Sequence, residues 1–229
     1  MLLIKTVFKV VRRVLVFFFA STLLAVFAYR WIPVPLTPLM VIRAVQHAGK
    51  GESIAFHHKW VPLERISRHL PVAVMASEDQ KFLRHNGFDF GEMENAAVDK
   101  LRGKRSRGAS TISQQTAKNV FLWPSSTWVR KGFEAYFTVL IELLWPKERI
   151  MEVYLNSIEM GPDIYGAEAV ARENFGCAAK DLTRADCALV AATLPAPLRY
   201  SSKRPSGYML KRQRQIERQM KYVQRLGAD

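Results

Sequence analysis

The sequence predicts a mainly α domain preceded by one membrane-spanning helix. Three observations carry this: an uncharged apolar run near the N-terminus, apolar residues at helical spacing through the middle of the chain, and capping residues where those segments begin and end. No period-2 alternation is sustained beyond a few residues. With 229 residues, 49% of them apolar, the chain can bury one good core, and its length favours a single folded domain.

The first element is the anchor. Lys5, Lys9, Arg12 and Arg13 make residues 1–13 basic, and Val14 to Tyr29 then reads VLVFFFASTLLAVFAY, extended past Arg30 by Trp31 and Ile32. A spanning helix needs roughly 20 mostly apolar residues, and 14–32 meets that when snorkelling Arg30 and interfacial Tyr29 and Trp31 are counted. The basic flank places the N-terminus in the cytoplasm and the body outside. A signal peptide cleaved after Ala28 is the alternative, and it also exports the body. Residues 33–40 follow, where Pro33, Pro35 and Pro38 suit an extended linker.

The body is expected over 41–204. Trp128, Ala135, Val139 and Leu143 recur on one helical face, as do Ile150, Val153 and Ser157. Pro146 suits a first helical position before Lys147 to Asn156, with Gly161 beyond. Gly176 follows the segment ending at Phe175, and Thr183 caps a helix stopped by Pro195. Residues 205–229 read as a basic helix carrying Lys211, Arg212, Arg214, Arg218, Lys221 and Arg225, a solvated face or one resting on anionic lipid.

A net charge of +14 and a pI near 10.0 call for anionic partners without choosing among nucleic acid, lipid headgroups and phosphorylated molecules. Export and the lack of a recognition motif disfavour nucleic acid. Cys177 and Cys187 are equally compatible with a disulfide and with two buried thiols. No Cys/His metal spacing and no H-E-x-x-H occur, which disfavours a zinc enzyme.

Four segments carry chemistry. In A-S-E-D-Q-K-F-L-R-H-N-G-F-D, Ala76 to Asp89, an apolar stretch runs into Glu78 and Asp79, then Phe82 and His85. A carboxylate entering from an apolar segment is a candidate for a raised pKa, and one poised near neutrality can take a proton from a sugar hydroxyl. The bland alternative is a pair of solvated acids with His85 at a helix end. Arg102 to Asn119 brings a basic, Gly-containing loop to a helix start at Ser110 or Thr111, where free N–H groups favour an anion such as a pyrophosphate. Ala109 stands where a P-loop needs Lys, so nucleotide hydrolysis is disfavoured. Gln114 fits a capping box with Thr111, whereas Gln115 and Lys118 have no such local role. Arg130, Lys131 and Glu134 form the third group, which as a surface ion pair would contribute only a few tenths of a kcal/mol. Lys147 to Gly166 reads as a packed helix with a Gly-containing turn after it.

In this order, A-x-E-D-x-x-F-x-x-H-x-G-x-D, G-x-S-T-I-x-Q-Q-x-x-K-N, R-K-x-x-E and K-x-x-I-x-E-x-Y-L-N resemble the peptidoglycan glycosyltransferase family in its monofunctional biosynthetic form, over Ala76 to about Pro197. Ser113 departs from a frequent Thr. The chain ends soon after the domain, so no penicillin-binding transpeptidase module is expected.

The resemblance implies a lysozyme-like fold with a smaller membrane-proximal lobe, acting on lipid II and the nascent glycan strand by inverting transfer from a polyprenyl diphosphate. It implies Glu78 as general base and Glu134 as a second essential carboxylate that organises the leaving pyrophosphate through a basic neighbour or a divalent cation (Mg or Mn). Asp79, Phe82, His85, Ser110, Thr111, Gln114, Gln115, Lys118, Asn119, Arg130, Lys131, Lys147, Glu152 and Asn156 are the implied substrate-binding residues. No other cofactor is implied. The implied location is the bacterial inner membrane with a periplasmic body, with cell-wall synthesis or division proteins as partners. A lytic muramidase is the nearest rival and a non-catalytic membrane scaffold the next. The paired basic motifs disfavour the former, since a hydrolase of uncharged sugar linkages has little use for them.

Overall fold

A computed structural model describes residues 2–51, 56–103 and 108–227. It is mainly helical: α1 (Leu2–Ala28), α2 (Pro38–Gly49), α3 (His69–Glu78), α4 (Phe90–Leu101), α5 (Ile112–Phe121), α6 (Trp128–Leu144), α7 (Lys147–Ser157), α8 (Ala167–Val170), α9 (Arg184–Thr193) and α10 (Gly207–Gln219). Among the described residues three short strands, β1 (His57–His58), β2 (Glu159–Gly161) and β3 (Ile164–Tyr165), form a small sheet in the order β1-β3-β2, with β1 parallel and β2 antiparallel to β3.

The chain divides between Pro33 and Val34 into two compact units. The first is essentially α1, of which Ile4–Ala28 is long and apolar enough to cross a membrane. This helix starts well before the expected 14–32, because the basic residues at 5, 9, 12 and 13 are good helix formers that extend it toward the N-terminus. The second unit begins earlier than the expected 41. Val34, Thr37 and Met40 are buried, and Thr37 caps α2 by accepting from Met40 N at 3.3 Å, so only part of 33–40 is linker.

The core is built on α3, whose residues Leu70 to Ala76 are all buried. A helix apolar on every side belongs inside, and α3 packs against α9 and α10. Helices α5, α6 and α7 pack together as a second group. Helix α10 seals the core with Met209 and Ile216 and exposes Lys211, Arg214 and Arg218 while Arg212 is half-buried, so 205–229 is not an appendage to a domain closing at 204. Thr183 caps α9 and Ile150, Val153 and Ser157 of α7 are buried, both as expected. Pro146 occupies the cap position just before α7 rather than its first turn, and Gly161 falls in β2.

One expected face is reversed. Trp128, Val139 and Leu143 of α6 are exposed, Trp128 by 91%, while Arg130, Glu134, Phe137, Thr138 and Ile141 face inward. A buried polar stripe is what positions the site described next.

Candidate active site

Glu78 is the last residue of α3, so the apolar helix delivers its carboxylate to the edge of the core. Gln115 of α5 donates Nε2–H to Glu78 Oε2 at 3.2 Å, and the Ser77 hydroxyl lies 3.2 Å from Oε1. Burial pushes the Glu78 carboxyl above its ordinary range. The donors Gln115 and Ser77 and the charge of Arg212 on α10 oppose that rise, and neighbouring Asp79 adds to it.

The neighbouring acid has a different part. Asp79 accepts from His85 Nε2 and from Ile112 N, both at 3.0 Å, which ties the turn after α3 to the start of α5. Thr111 caps α5 in a reciprocal box with Gln114, as the spacing allowed, and also donates its hydroxyl to Gly87 O at 2.6 Å. Gly87 has φ +89°, and a Cβ there would lie 2.8 Å from Thr138 Cγ2 on α6, so only glycine lets these segments meet. Lys147 Nζ donates to His85 O at 2.7 Å and to Glu142 at 2.8 Å, above the fully buried ring of Phe82.

The cationic group is assembled from α5 and α6. Arg130 Nη1 lies 2.5 Å from Glu134 Oε2, and Lys131 Nζ bonds Glu134 Oε1. Lys118 stands near enough for Glu134, Arg130, Lys131 and Glu78 all to influence its ammonium. Burial is the main reason its pKa is lowered; Arg130 and Lys131 lower it further, while Glu134 and Glu78 oppose. Three cations around the one carboxylate of Glu134 leave a net positive patch beside Glu78, suited to a multiply charged anion.

Of the expected site residues, the structure brings Glu78, Gln115, Lys118, Arg130, Lys131 and Glu134 together. Ser110 and Asn119 are half-buried at the start of the helical segment and beside Lys118. Asp79, Phe82, His85, Thr111, Gln114 and Lys147 are engaged by protein groups and hold the elements that carry the site. Asn156 is fully buried and bonds Val61 through both N and O at 2.9 Å. Glu152 pairs with Arg149 at 2.9 Å, whose guanidinium lies over Trp60, in a separate cluster. Lys104, Arg105, Ser106 and Arg107 of the basic loop lie outside the described residues.

Sequence reasoning passed over Glu142, which takes both Lys147 and the Ser113 hydroxyl, and Tyr154, whose hydroxyl is 3.1 Å from Gln115 Oε1. Tyr154 stood in the fourth motif but read there as helix packing.

Among the described residues no group of three or more His, Cys, Asp or Glu side chains could hold a metal ion. A magnesium or manganese ion held by Glu134 does not fit these residues, because such ions need several oxygen ligands and both Glu134 oxygens are occupied by cationic side chains. Cys177 and Cys187 are free thiols, and burial drives that of Cys187 up to about 12.

A family model described as Transglycosylase matches residues 47–221, which include α10. The chain is 61% identical over 220 residues to a biosynthetic peptidoglycan transglycosylase of Bacteroides thetaiotaomicron, covering 96% of this chain and 89% of that protein. Proteins of the same name from Bdellovibrio bacteriovorus and Caulobacter vibrioides are 53% and 52% identical, covering 93% and 91% of this chain and 85% and 88% of theirs.

Proposed function

The chain belongs to the transglycosylase family and is a glycosyltransferase, and from that premise we propose that it elongates peptidoglycan glycan strands on lipid II with Glu78 as general base. Its mainly helical body is of the family's lysozyme-like type. The observation that carries the proposal is a partly desolvated carboxylate set beside a fixed patch of three cations.

In this reading the 4-hydroxyl of an incoming lipid II sugar lies at Glu78. The carboxylate removes its proton as the oxygen attacks the anomeric carbon of a strand held on polyprenyl diphosphate. The anomeric C–O bond to the diphosphate breaks, a β-1,4 bond forms with inversion, and the diphosphate leaves into the field of Lys118, Arg130 and Lys131. Glu134 keeps two of those cations in place. Side chains do the neutralising, and any magnesium or manganese ion would have to arrive with the diphosphate rather than wait on Glu134.

The raised pKa of Glu78 suits a base near neutrality, and preorganised cations suit a leaving group that gains charge. Helix α1 would anchor the enzyme in the inner membrane, with its basic end cytoplasmic and the catalytic body periplasmic, on the surface where a lipid-linked substrate resides. Cell-wall synthesis or division proteins would recruit it there.

The test is incubation of the purified full-length protein in detergent with lipid II and, separately, with finished sacculi. Glycan strands and free polyprenyl diphosphate should form from lipid II alone. Release of fragments from sacculi without polymerisation of lipid II would overturn the proposal in favour of a muramidase.

A further inference from the structure

Tyr154 reaches the base through one intermediary. Its hydroxyl lies 3.1 Å from Gln115 Oε1, and the other end of the same amide donates to Glu78 Oε2 at 3.2 Å. The two ends of a glutamine amide are alike in shape and opposite in polarity. An N–H facing a carboxylate attracts it, whereas the carbonyl oxygen repels it.

We propose that Tyr154 is a positioning residue for Glu78: by donating to Gln115 Oε1, it fixes the amide so that an N–H, not a carbonyl oxygen, faces the carboxylate. The phenol can be relied upon as a donor. Tyr154 is fully buried, and that burial, reinforced by the charges of Glu78 and Asp79, keeps it protonated well beyond neutral pH. Among the described residues Gln115 Oε1 is the acceptor recorded for its proton, and turning the amide round would leave a buried O–H facing an N–H. The ring has little freedom to follow such a turn, because it is itself fully buried in a close-packed core. Helix α7 thus reads out the orientation of a side chain on α5, and α5 sets the donor at the end of α3.

Other groups act on Glu78 as well: Ser77 and Asp79 from the end of α3, Lys118 from α5 and Arg212 from α10. Tyr154→Phe removes none of them and keeps the ring, so any change in Glu78 belongs to the amide. Without the hydroxyl the amide can present its oxygen, the ionised carboxylate loses its donor, and Glu78 holds its proton to higher pH.

Only the kinetic arm of the test rests on Glu78 being the base in lipid II polymerisation. In Tyr154→Phe the acid limb of kcat against pH should move up by about one unit, as expected for loss of a hydrogen bond to a charged group, with KM little changed and rate recovered at high pH. The independent arm follows the Glu78 carboxyl by isotope-edited infrared titration, identified by its loss in Glu78→Gln, and should show the same displacement. Gln115→Leu alone should displace it at least as far, which checks that the amide is what acts on Glu78, and Tyr154→Met, which also lacks the hydroxyl, supplies the test should Tyr154→Phe fold poorly. Adding Tyr154→Phe to Gln115→Leu should change nothing further. An unmoved Glu78 titration in Tyr154→Phe, or a further shift in the double variant, overturns the inference. An infrared shift in a protein that fails to polymerise lipid II would uphold the positioning while sinking the proposed function.

Discussion

Arg130 reaches one turn along α6 to set Nη1 2.5 Å from Glu134 Oε2, and the two side chains are only 9% and 3% exposed. Lys131 takes the other oxygen, and Arg130 Nε is buried with no partner among the described residues. Glu134 is therefore the counter-charge that lets a guanidinium sit in the core. Removing one partner of a buried pair leaves the other uncompensated, at a cost of about 3–5 kcal/mol. Glu134→Gln should accordingly lower Tm and abolish polymerisation together. The double variant Arg130→Met/Glu134→Leu should recover much of the stability and none of the activity, as read by thermal unfolding and a lipid II assay. Equal Tm losses in the single and double variants would show that the pair is not what stabilises this part of α6.

Glu78→Gln separates the two again, in the opposite direction. Loss of a general base typically costs 10²–10⁴ in rate, so turnover should all but vanish. Stability should not fall. Burial raises the pKa of Glu78 in the folded state, so the folded protein binds the proton more tightly than the unfolded chain, and stability declines as pH rises through the folded pKa. Above its raised pKa the wild type carries the cost of an ionised buried carboxylate. Glu78→Gln should therefore have a Tm at or above wild type at neutral pH, and the difference should shrink on acidification toward the ordinary carboxylate range. Calorimetric scans at several pH values check the sign.

Asn156 joins α7 to the segment before α3. Its side chain donates to Val61 O and accepts from Val61 N, both at 2.9 Å, and its backbone oxygen lies 2.6 Å from where a Cβ on Gly166 would be. Asn156→Ala orphans two backbone groups, each costing roughly 1–3 kcal/mol when buried. A fall in Tm of roughly 2–4 °C per kcal/mol should follow, with the acid limb of the pH profile unmoved. A shifted limb would tie Asn156 to Glu78 instead.

What was legible in the sequence was mostly local. Thr111 with Gln114 and Thr183 at the head of α9 are caps whose partners lie three residues away, so spacing alone discloses them. The inward face of α6 was not legible, because Arg130, Glu134 and Thr138 obey the site's electrostatics while Trp128 and Leu143 remain exposed, the reverse of the usual amphipathic rule. The docking of α10 was hidden by its four basic residues around a thin apolar seam of Met209, Ile216 and the following Met220. The part assigned to Tyr154 depends on a contact 39 residues away in sequence, set by how α5 meets α7. Strands of two or three residues are too short for a period to register.

Lys118 offers the sharpest reading of the cationic patch. Its pKa is lowered chiefly by burial and then by Arg130 and Lys131, although Glu134 and Glu78 pull the other way. A bound diphosphate would reverse much of that, since an adjacent anion favours the charged ammonium. Pyrophosphate should therefore bind more weakly as pH rises through the lowered pKa of the free protein, with proton uptake in that range. Titration calorimetry in buffers of different ionisation enthalpy should detect the uptake, and Lys118→Ala should remove it. Arg130→Ala should weaken binding without removing the uptake, because the Lys118 ammonium that takes up the proton is still there. Each loss should fall within about 1.5–3 kcal/mol, the contribution of a hydrogen bond to a charged group, and should persist at moderate salt. Arg218→Ala, at an exposed position of α10, should change little. If Arg218→Ala were as harmful as Lys118→Ala and salt erased both effects, the protein would be offering diffuse positive charge rather than a preformed diphosphate site.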